Sequence, residues 1–172
     1  QIYKKRGLWA IINAGSNSKL ASGICDVQKM SNMGINLAVG TDGPSSNNAL
    51  DMFREMYLIS VLQKLKYNDA AAMDANEILK AATSGSAKCM GLTDCDCIAE
   101  GKLADLMIID LERPNMQPIN NITKNLVYSG SKDDVKMTMI NGKILYENGE
   151  FVNIDKEEIY AKAQEICNRL KN

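Results

Sequence analysis

An α/β fold is predicted by three observations. Residues 8–13 (LWAIIN) and 35–39 (INLAV) are short, nearly continuous apolar runs of the kind a strand buried on both faces requires. Each run is followed by helix-compatible sequence, so the first half reads strand, helix, strand, helix. From about Cys95 onward the character changes to short strands and turns.

Between the two apolar runs, residues 14–23 (AGSNSKLASG) read as a Gly/Ser/Asn-rich loop. Residues 26–33 (DVQKMSNM) read as a helix, with Asp26 as N-cap and Gly34 at the C-cap position. A loop through residues 43–48 leads to a longer helix over 50–65, whose Met52, Met56, Ile59 and Leu62/Gln63 form an amphipathic stripe. Asp74, with Glu77 three residues on, gives a capping-box pattern for the next helix. That helix runs through Ile78, Leu79 and Ala82, continues past Ser84-Gly85-Ser86 to Met90, and stops at Gly91. Residues 104–110 (ADLMIID) and 135–140 (VKMTMI) are strand-like, and Asn141-Gly142 followed by 143–147 (KILYE) is a strong hairpin signal. Residues 155–170 form a last, acidic-capped helix with Ile159, Ala163, Ile166 and Leu170 on one face. Such a helix either docks a partner or packs on its own domain. No internal repeat, low-complexity tract or linker is visible.

Composition narrows the function classes. The chain has 172 residues, 45% hydrophobic and 24% charged, without the run of roughly 20 apolar residues that a membrane span needs. Its 20 basic against 21 acidic residues leave no surplus to neutralise a nucleic-acid backbone or an anionic membrane, so small-molecule chemistry or protein contact is expected. Five cysteines, three of them close together at Cys89, Cys95 and Cys97, make no disulfide framework. Lys4-Lys5-Arg6 is not followed by the h-region of a signal peptide, so the cytoplasm is the expected compartment. The count with most consequence is zero histidines, which removes imidazole as a general base and as a metal ligand. The ten methionines, including Met52 with Met56 and Met137 with Met139, have spacings that suit core filling.

Gly40-Thr41-Asp42-Gly43 sits directly after the second apolar run. Asp42 would therefore project from the C-terminal end of a buried parallel strand, where barrel enzymes place catalytic groups. The competing reading is a plain Asp-Gly turn. The Ser16-Asn17-Ser18-Lys19 stretch either touches a ligand or is structural. Cys95-Asp96-Cys97 could be read as a thiolate metal site, but without a second spaced pair a turn is the expectation.

Context for Asp42 comes from a resemblance that extends over nearly the whole chain. Residues 13–23 (NAGSNSKLASG) and 40–56 (GTDGPSSNNALDMFREM) are similar to the late-barrel signature of S-adenosylhomocysteine and 5-methylthioadenosine deaminases, within the amidohydrolase superfamily. Residues 78–92 (ILKAATSGSAKCMGL) look like that family's helix after the barrel. Residues 100–111 (EGKLADLMIIDL) resemble the strand that enters its small β-sandwich, and 125–145 (NLVYSGSKDDVKMTMINGKIL) complete the match.

The resemblance implies a partial TIM-type (β/α) barrel, its last strands and helices, followed by the C-terminal part of a small β-sandwich. The implied division is 1–93 for the barrel portion, 94–150 for the sandwich portion and 151–172 for a C-terminal helix. It also implies a metal-dependent hydrolase that deaminates an adenosine-like nucleoside, with zinc or iron as cofactor. Asp42 matches the eighth-strand aspartate, which in that family contacts the metal and takes a proton from the metal-bound water. Asp42 is thus the expected catalytic, metal and substrate-binding residue, with Asn17 a lesser substrate contact.

The chain departs from the family where it reads Ile12-Asn13-Ala14 in place of His-Asn-Pro or His-Cys-Pro. The family's HxH pair, further histidines and glutamate would all precede Gln1. A lone carboxylate does not hold a catalytic zinc, so no metal is expected on these 172 residues alone. An N-terminal glutamine and a partial barrel lead to the expectation of an inactive C-terminal portion that forms a homo-oligomer or pairs with the N-terminal part. The alternative is a non-catalytic binding or assembly module with the same fold.

Overall fold

The computed structural model describes residues 2–171. It divides into two compact units: one takes the residues up to Lys102 together with Leu111–Asp134, and the other takes Leu103–Asp110 and everything from Val135 onward. Packing therefore does not follow the division at 93 and 150. Residues 111–134 return to the first unit, and the last helix shares a unit with the strands.

In the first unit, helix α1 (Ile2–Lys5) precedes strand β1 (Trp9–Ile12), which pairs in parallel with β2 (Asn36–Val39) in the register Trp9 to Asn36 through Ile12 to Val39. Two short helices make the crossover. The second, α3 (Val27–Asn32), starts as expected, with the Asp26 side chain accepting from Lys29 N. The first corrects the loop expected over 14–23: residues Ala14–Lys19 form helix α2. Ser and Asn disfavour helix interiors because their side chains compete for backbone bonds. Here the buried Ala14, Gly15 and Ser16 fit where larger residues would not, and tertiary contact overrides propensity.

Strand β1 is not buried on both faces, as its apolar run suggested: Ile12 is 5% exposed, yet Ile11 is 57% exposed. In β2 the adjacent Ala38 and Val39, which point to opposite faces, are 2% and 6% exposed, so the end of that strand is buried on both sides. The core joins Ile12, Val27, Ala38 and Val39 to Ile59, Met73 and Ile78.

A single-turn helix α4 (Pro44–Asn47) precedes the long helix α5 (Met52–Tyr67), capped by Asp51. The expected stripe on α5 holds at Met56, Ile59 and Gln63, but the buried face also carries Glu55 and Ser60, both fully enclosed. Each buried polar side chain of α5 has a partner, as burial requires. Ser60 Oγ lies 3.0 Å from Tyr128 Oη, and Gln63 donates to Cys25 O at 2.8 Å while accepting from Gln28 N.

Helix α6 (Ala75–Lys80) is capped by Asp74, which accepts from Asn76 N at 2.8 Å. The capping box is replaced: the Glu77 carboxylate accepts from Ser31 Oγ of α3 at 3.1 Å. The helix then widens into a π-turn (Ala81–Gly85) before α7 (Ser86–Cys89). This turn lies on β2. Ser86 Oγ accepts from Val39 N at 3.1 Å and lies 2.9 Å from Ala81 O, so its hydroxyl ties the strand to the turn. Helix α8 (Ile122–Tyr128) packs against α5 and α6.

The second unit is an antiparallel meander of β3 (Leu106–Ile109), β4 (Val135–Ile140), β5 (Lys143–Glu147) and β6 (Glu150–Phe151). Asn141 and Gly142 both take positive φ, 47° and 75°, as a tight hairpin demands. Asn148-Gly149 makes a second such turn, at 51° and 93°, and adds the short β6 that the sequence reading passed over. The sheet is a single layer, with Met107, Ile108, Ile140 and Leu145 partly open to solvent. Helix α9 (Lys156–Leu170) follows, capped by Asp155, which accepts from Glu157 N and Glu158 N at 3.0 Å; no residue of α9 is buried.

A Cβ at Gly85 would lie 2.6 Å from Leu37 O and 3.1 Å from Lys80 O, both backbone atoms that cannot yield. Gly85→Ala should therefore lift the π-turn off β2 and destabilise the chain by about 1–3 kcal/mol. Denaturant titration checks this, and wild-type stability in the variant would show that the turn is not seated on the strand.

Candidate functional site

The site begins where β2 ends. Gly40 N donates to Ile12 O at 3.0 Å, extending the parallel pairing by one step. A Cβ there would meet Asn13 Oδ1 at 2.6 Å and Ile11 Cγ2 at 3.3 Å, so a larger residue would have to displace the Asn13 amide. Thr41 follows, and Asp42 then turns the chain with φ at 58°. Left-handed backbone is uncommon outside glycine, though aspartate is among the residues that tolerate it, and such strain concentrates at functional sites.

The Asp42 side chain is well held although exposed. Oδ1 accepts from Gly43 N at 2.8 Å and Oδ2 from Ser16 Oγ at 2.7 Å. Hydrogen bonding from Ser16 first, then Ser46, then the Gly43 N–H, holds its carboxyl below the ordinary aspartate range, with desolvation opposing weakly. Asp42 is accordingly an anion with its orientation fixed from two elements.

Beneath the loop lies a buried polar knot. Glu55, 0% exposed on the first turn of α5, accepts from Gly15 N at 2.8 Å through one oxygen and from Asn47 Nδ2 at 2.7 Å through the other. Asn47, 1% exposed, also donates to Thr41 O at 2.7 Å. Its own Oδ1 has no partner among the described residues. Across the mouth, Lys19 of α2 donates to Ser45 O at 3.1 Å and to Asn48 Oδ1, tying that helix to the loop after Asp42.

The structure thus brings Asp42 together with Ser16. Asn17, one step round the same helix, lines a small hollow with Ile24, Cys25 and Leu62. Ser16 belongs to the stretch weighed as a ligand contact and Asn47 to the matched 40–56 motif, but Glu55 was not singled out from the sequence. Glu55 could have been, since it lies three residues after Met52 and four before Ile59, within the apolar stripe of a helix.

The Cys95-Asp96-Cys97 segment is an ion-pair clamp. Asp96 is bonded by Lys102 at 2.8 Å and faces Lys88 at 3.4 Å, and these lysines, Lys102 foremost, hold its carboxyl below the usual range. Among the described residues no group of three or more His, Cys, Asp or Glu could hold a metal ion. Asp42 offers one carboxylate where a catalytic zinc needs about three protein ligands, so the residues present do not by themselves fit such a metal.

Residues 4–145 match the model of the amidohydrolase family. The chain is 40% identical over 172 residues to a 5-methylthioadenosine/S-adenosylhomocysteine deaminase of Clostridium tetani, covering 99% of this chain and 40% of that protein. It is 45% identical over 147 residues to the deaminase of the same name from Pyrococcus furiosus, covering 86% of this chain and 35% of the relative. Among solved structures, an adenosine deaminase from Xanthomonas campestris with bound zinc superimposes with a TM-score of 0.95 at 36% identity, over 99% of this chain and 39% of that one. The chain therefore spans about 40% of the length of the first of these relatives.

Because the folded carboxyl of Asp42 lies below its unfolded value of about 3.9, the stability it contributes is fully present above that pH and is lost as pH falls through the folded value. Ser16→Ala removes the hydrogen bond that lowers it most, so Asp42 should titrate closer to the ordinary aspartate value. Carbon-13 NMR titration of the side-chain carboxyl compares the two, and an unchanged curve would refute the role given to Ser16.

Proposed function

Since the chain belongs to the amidohydrolase family, we propose that it supplies the C-terminal part of a hydrolase that deaminates an adenosine-like nucleoside at a non-peptide carbon–nitrogen bond. The observation that carries this reading is Asp42, an anion held by Ser16 and Gly43 N–H at the C-terminal end of a parallel strand. Hydrolytic deamination adds water at the ring carbon bearing the amino group and expels ammonia, and the proton leaving the attacking water needs an acceptor. Asp42 is that acceptor. Its two oxygens accept from Ser16, Ser46 and the Gly43 N–H, and a carboxylate with about four acceptor positions keeps one for the proton of the attacking water.

The zinc in the Xanthomonas neighbour supports a divalent metal in the complete enzyme, for which zinc or iron is our reading. Asp42 would give it one ligand, and the others would come from the part of the relatives that has no counterpart in these residues. Asn17 has the lesser role of lining the hollow beside α2. The open face at Ile11 supports pairing with further barrel strands or with a second copy. No helix among the described residues is long and apolar enough to cross a membrane; a cytoplasmic setting is part of the proposal, supported by cysteines that form no disulfide.

A second reading, a non-catalytic assembly module, is favoured by Ile12. Where the family has histidine, this chain has an isoleucine 5% exposed in the core. Ammonia release from 5-methylthioadenosine and S-adenosylhomocysteine, by a polypeptide completed with the remaining barrel, separates the two. The first reading expects turnover that falls about 10²–10⁴-fold in Asp42→Asn; a completed, metal-loaded protein without turnover supports the second. Metal analysis of the 172-residue chain alone should find well under one zinc or iron per chain, and a stoichiometric, Asp42-dependent metal would overturn the assignment of the missing ligands.

A further inference from the structure

Glu55 is a carboxylate buried in the core without a cation at either oxygen; its bonded partners are Gly15 N–H and the Asn47 amide. Both partners lead to Asp42 within one residue. Gly15 precedes Ser16, whose hydroxyl donates to Asp42 Oδ2. Asn47 donates a second time to the carbonyl of Thr41, the residue immediately before Asp42. One buried side chain therefore fixes the helix that carries the donor and, through Asn47, the backbone that carries the acceptor.

The fit at this point is tight from every side. A Cβ on Gly15 would lie 2.3 Å from Glu55 Oε1 and within 3 Å of both amide atoms of Asn47, so only glycine admits the contact. Asn47 keeps both donations while its Oδ1 goes unpartnered among the described residues. Turning the amide over would set that oxygen against Glu55 Oε1 and Thr41 O, two acceptors, so the donations dictate the orientation. The position of Glu55 in the first turn of a sixteen-residue helix adds the favourable end of the helix dipole to its two hydrogen bonds.

We propose that Glu55 is the positioning residue of the Asp42 site, acting through Gly15 and Asn47 to set the distance and direction between Ser16 and the Asp42 carboxylate. The proposal deepens the deaminase reading and rests on it for its catalytic consequence, while its structural content stands apart.

Glu55→Gln keeps the shape but turns one acceptor into a donor, so it must lose either Gly15 or Asn47. Backbone amide exchange by NMR on the 172-residue chain reads the outcome. Gly15 N–H, and with it Gly43 N–H on Asp42 Oδ1, should exchange about tenfold faster while the β1–β2 amides keep their protection. Faster exchange at Gly15 with Gly43 unchanged overturns the proposal. Should Glu55→Gln unfold the chain, Asn47→Ala, which removes the donations to Thr41 and to Glu55 but leaves Gly15 N–H on Glu55, must release Gly43 in a folded protein; collapse of both variants assigns Glu55 to the fold alone and also overturns it. In the completed enzyme, Glu55→Gln should lower kcat about 10²-fold with KM little changed, whereas an equal loss through KM would count against positioning. If the wild-type enzyme turns over no nucleoside, the deaminase reading fails while the exchange result still decides the role of Glu55.

Discussion

The arrangement around Asp42 depends on a carboxylate that has been taken out of water. Leaving a charged group buried without hydrogen bonds costs several kcal/mol, far more than a surface loop could supply. Glu55 is tolerated because it receives a backbone N–H from α2 and an amide from α4, and those two donations dictate where both helices sit. The constraint runs outward: α2 needs a glycine at its second position, α4 must present an asparagine inward, and the backbone before Asp42 is pulled onto that asparagine. An unpartnered Asn47 Oδ1, worth about 1–3 kcal/mol against the fold, is accepted in exchange.

The second support is the seating of β2. Its last residues are bonded to β1 on one edge and to the Ser86 hydroxyl beyond it, with Gly85 pressed against Leu37 O. A π-turn exposes the extra carbonyl that a regular helix would have spent internally, and here Ala81 O lies within reach of Ser86 Oγ. The strand therefore ends at a defined height, and the residue that follows inherits that definition.

Much of the fold was legible in the sequence where local chemistry decides. The two apolar runs, the Asp26 and Asp74 caps and the Asn141-Gly142 turn are each dictated by a few adjacent residues. Asp42 was legible because it follows a strand and matches a family motif. What escaped was tertiary. Residues Ala14–Lys19 have a loop's composition and become a helix because the neighbouring Glu55 accepts the Gly15 N–H. Glu55 and Ser60 are polar residues of α5 whose burial becomes intelligible only once their partners on other elements are known. Glu77 three residues after Asp74 has the spacing of a capping box, but Ser31, 46 positions away in sequence, claims its carboxylate.

The route of the chain through its two units has a topological consequence. Strand β3 lies between Lys102 and Leu111, both in the first unit, while its hydrogen-bonded neighbour β4 is reached only after residues 111–134 have returned there. No single cut in the backbone can separate the units: a break before β3 strands the tail of the first unit on the wrong piece, and a break at Val135 leaves β3 without its ladder. The two units are thus interleaved in the chain, and no single point of truncation or recombination can deliver both intact.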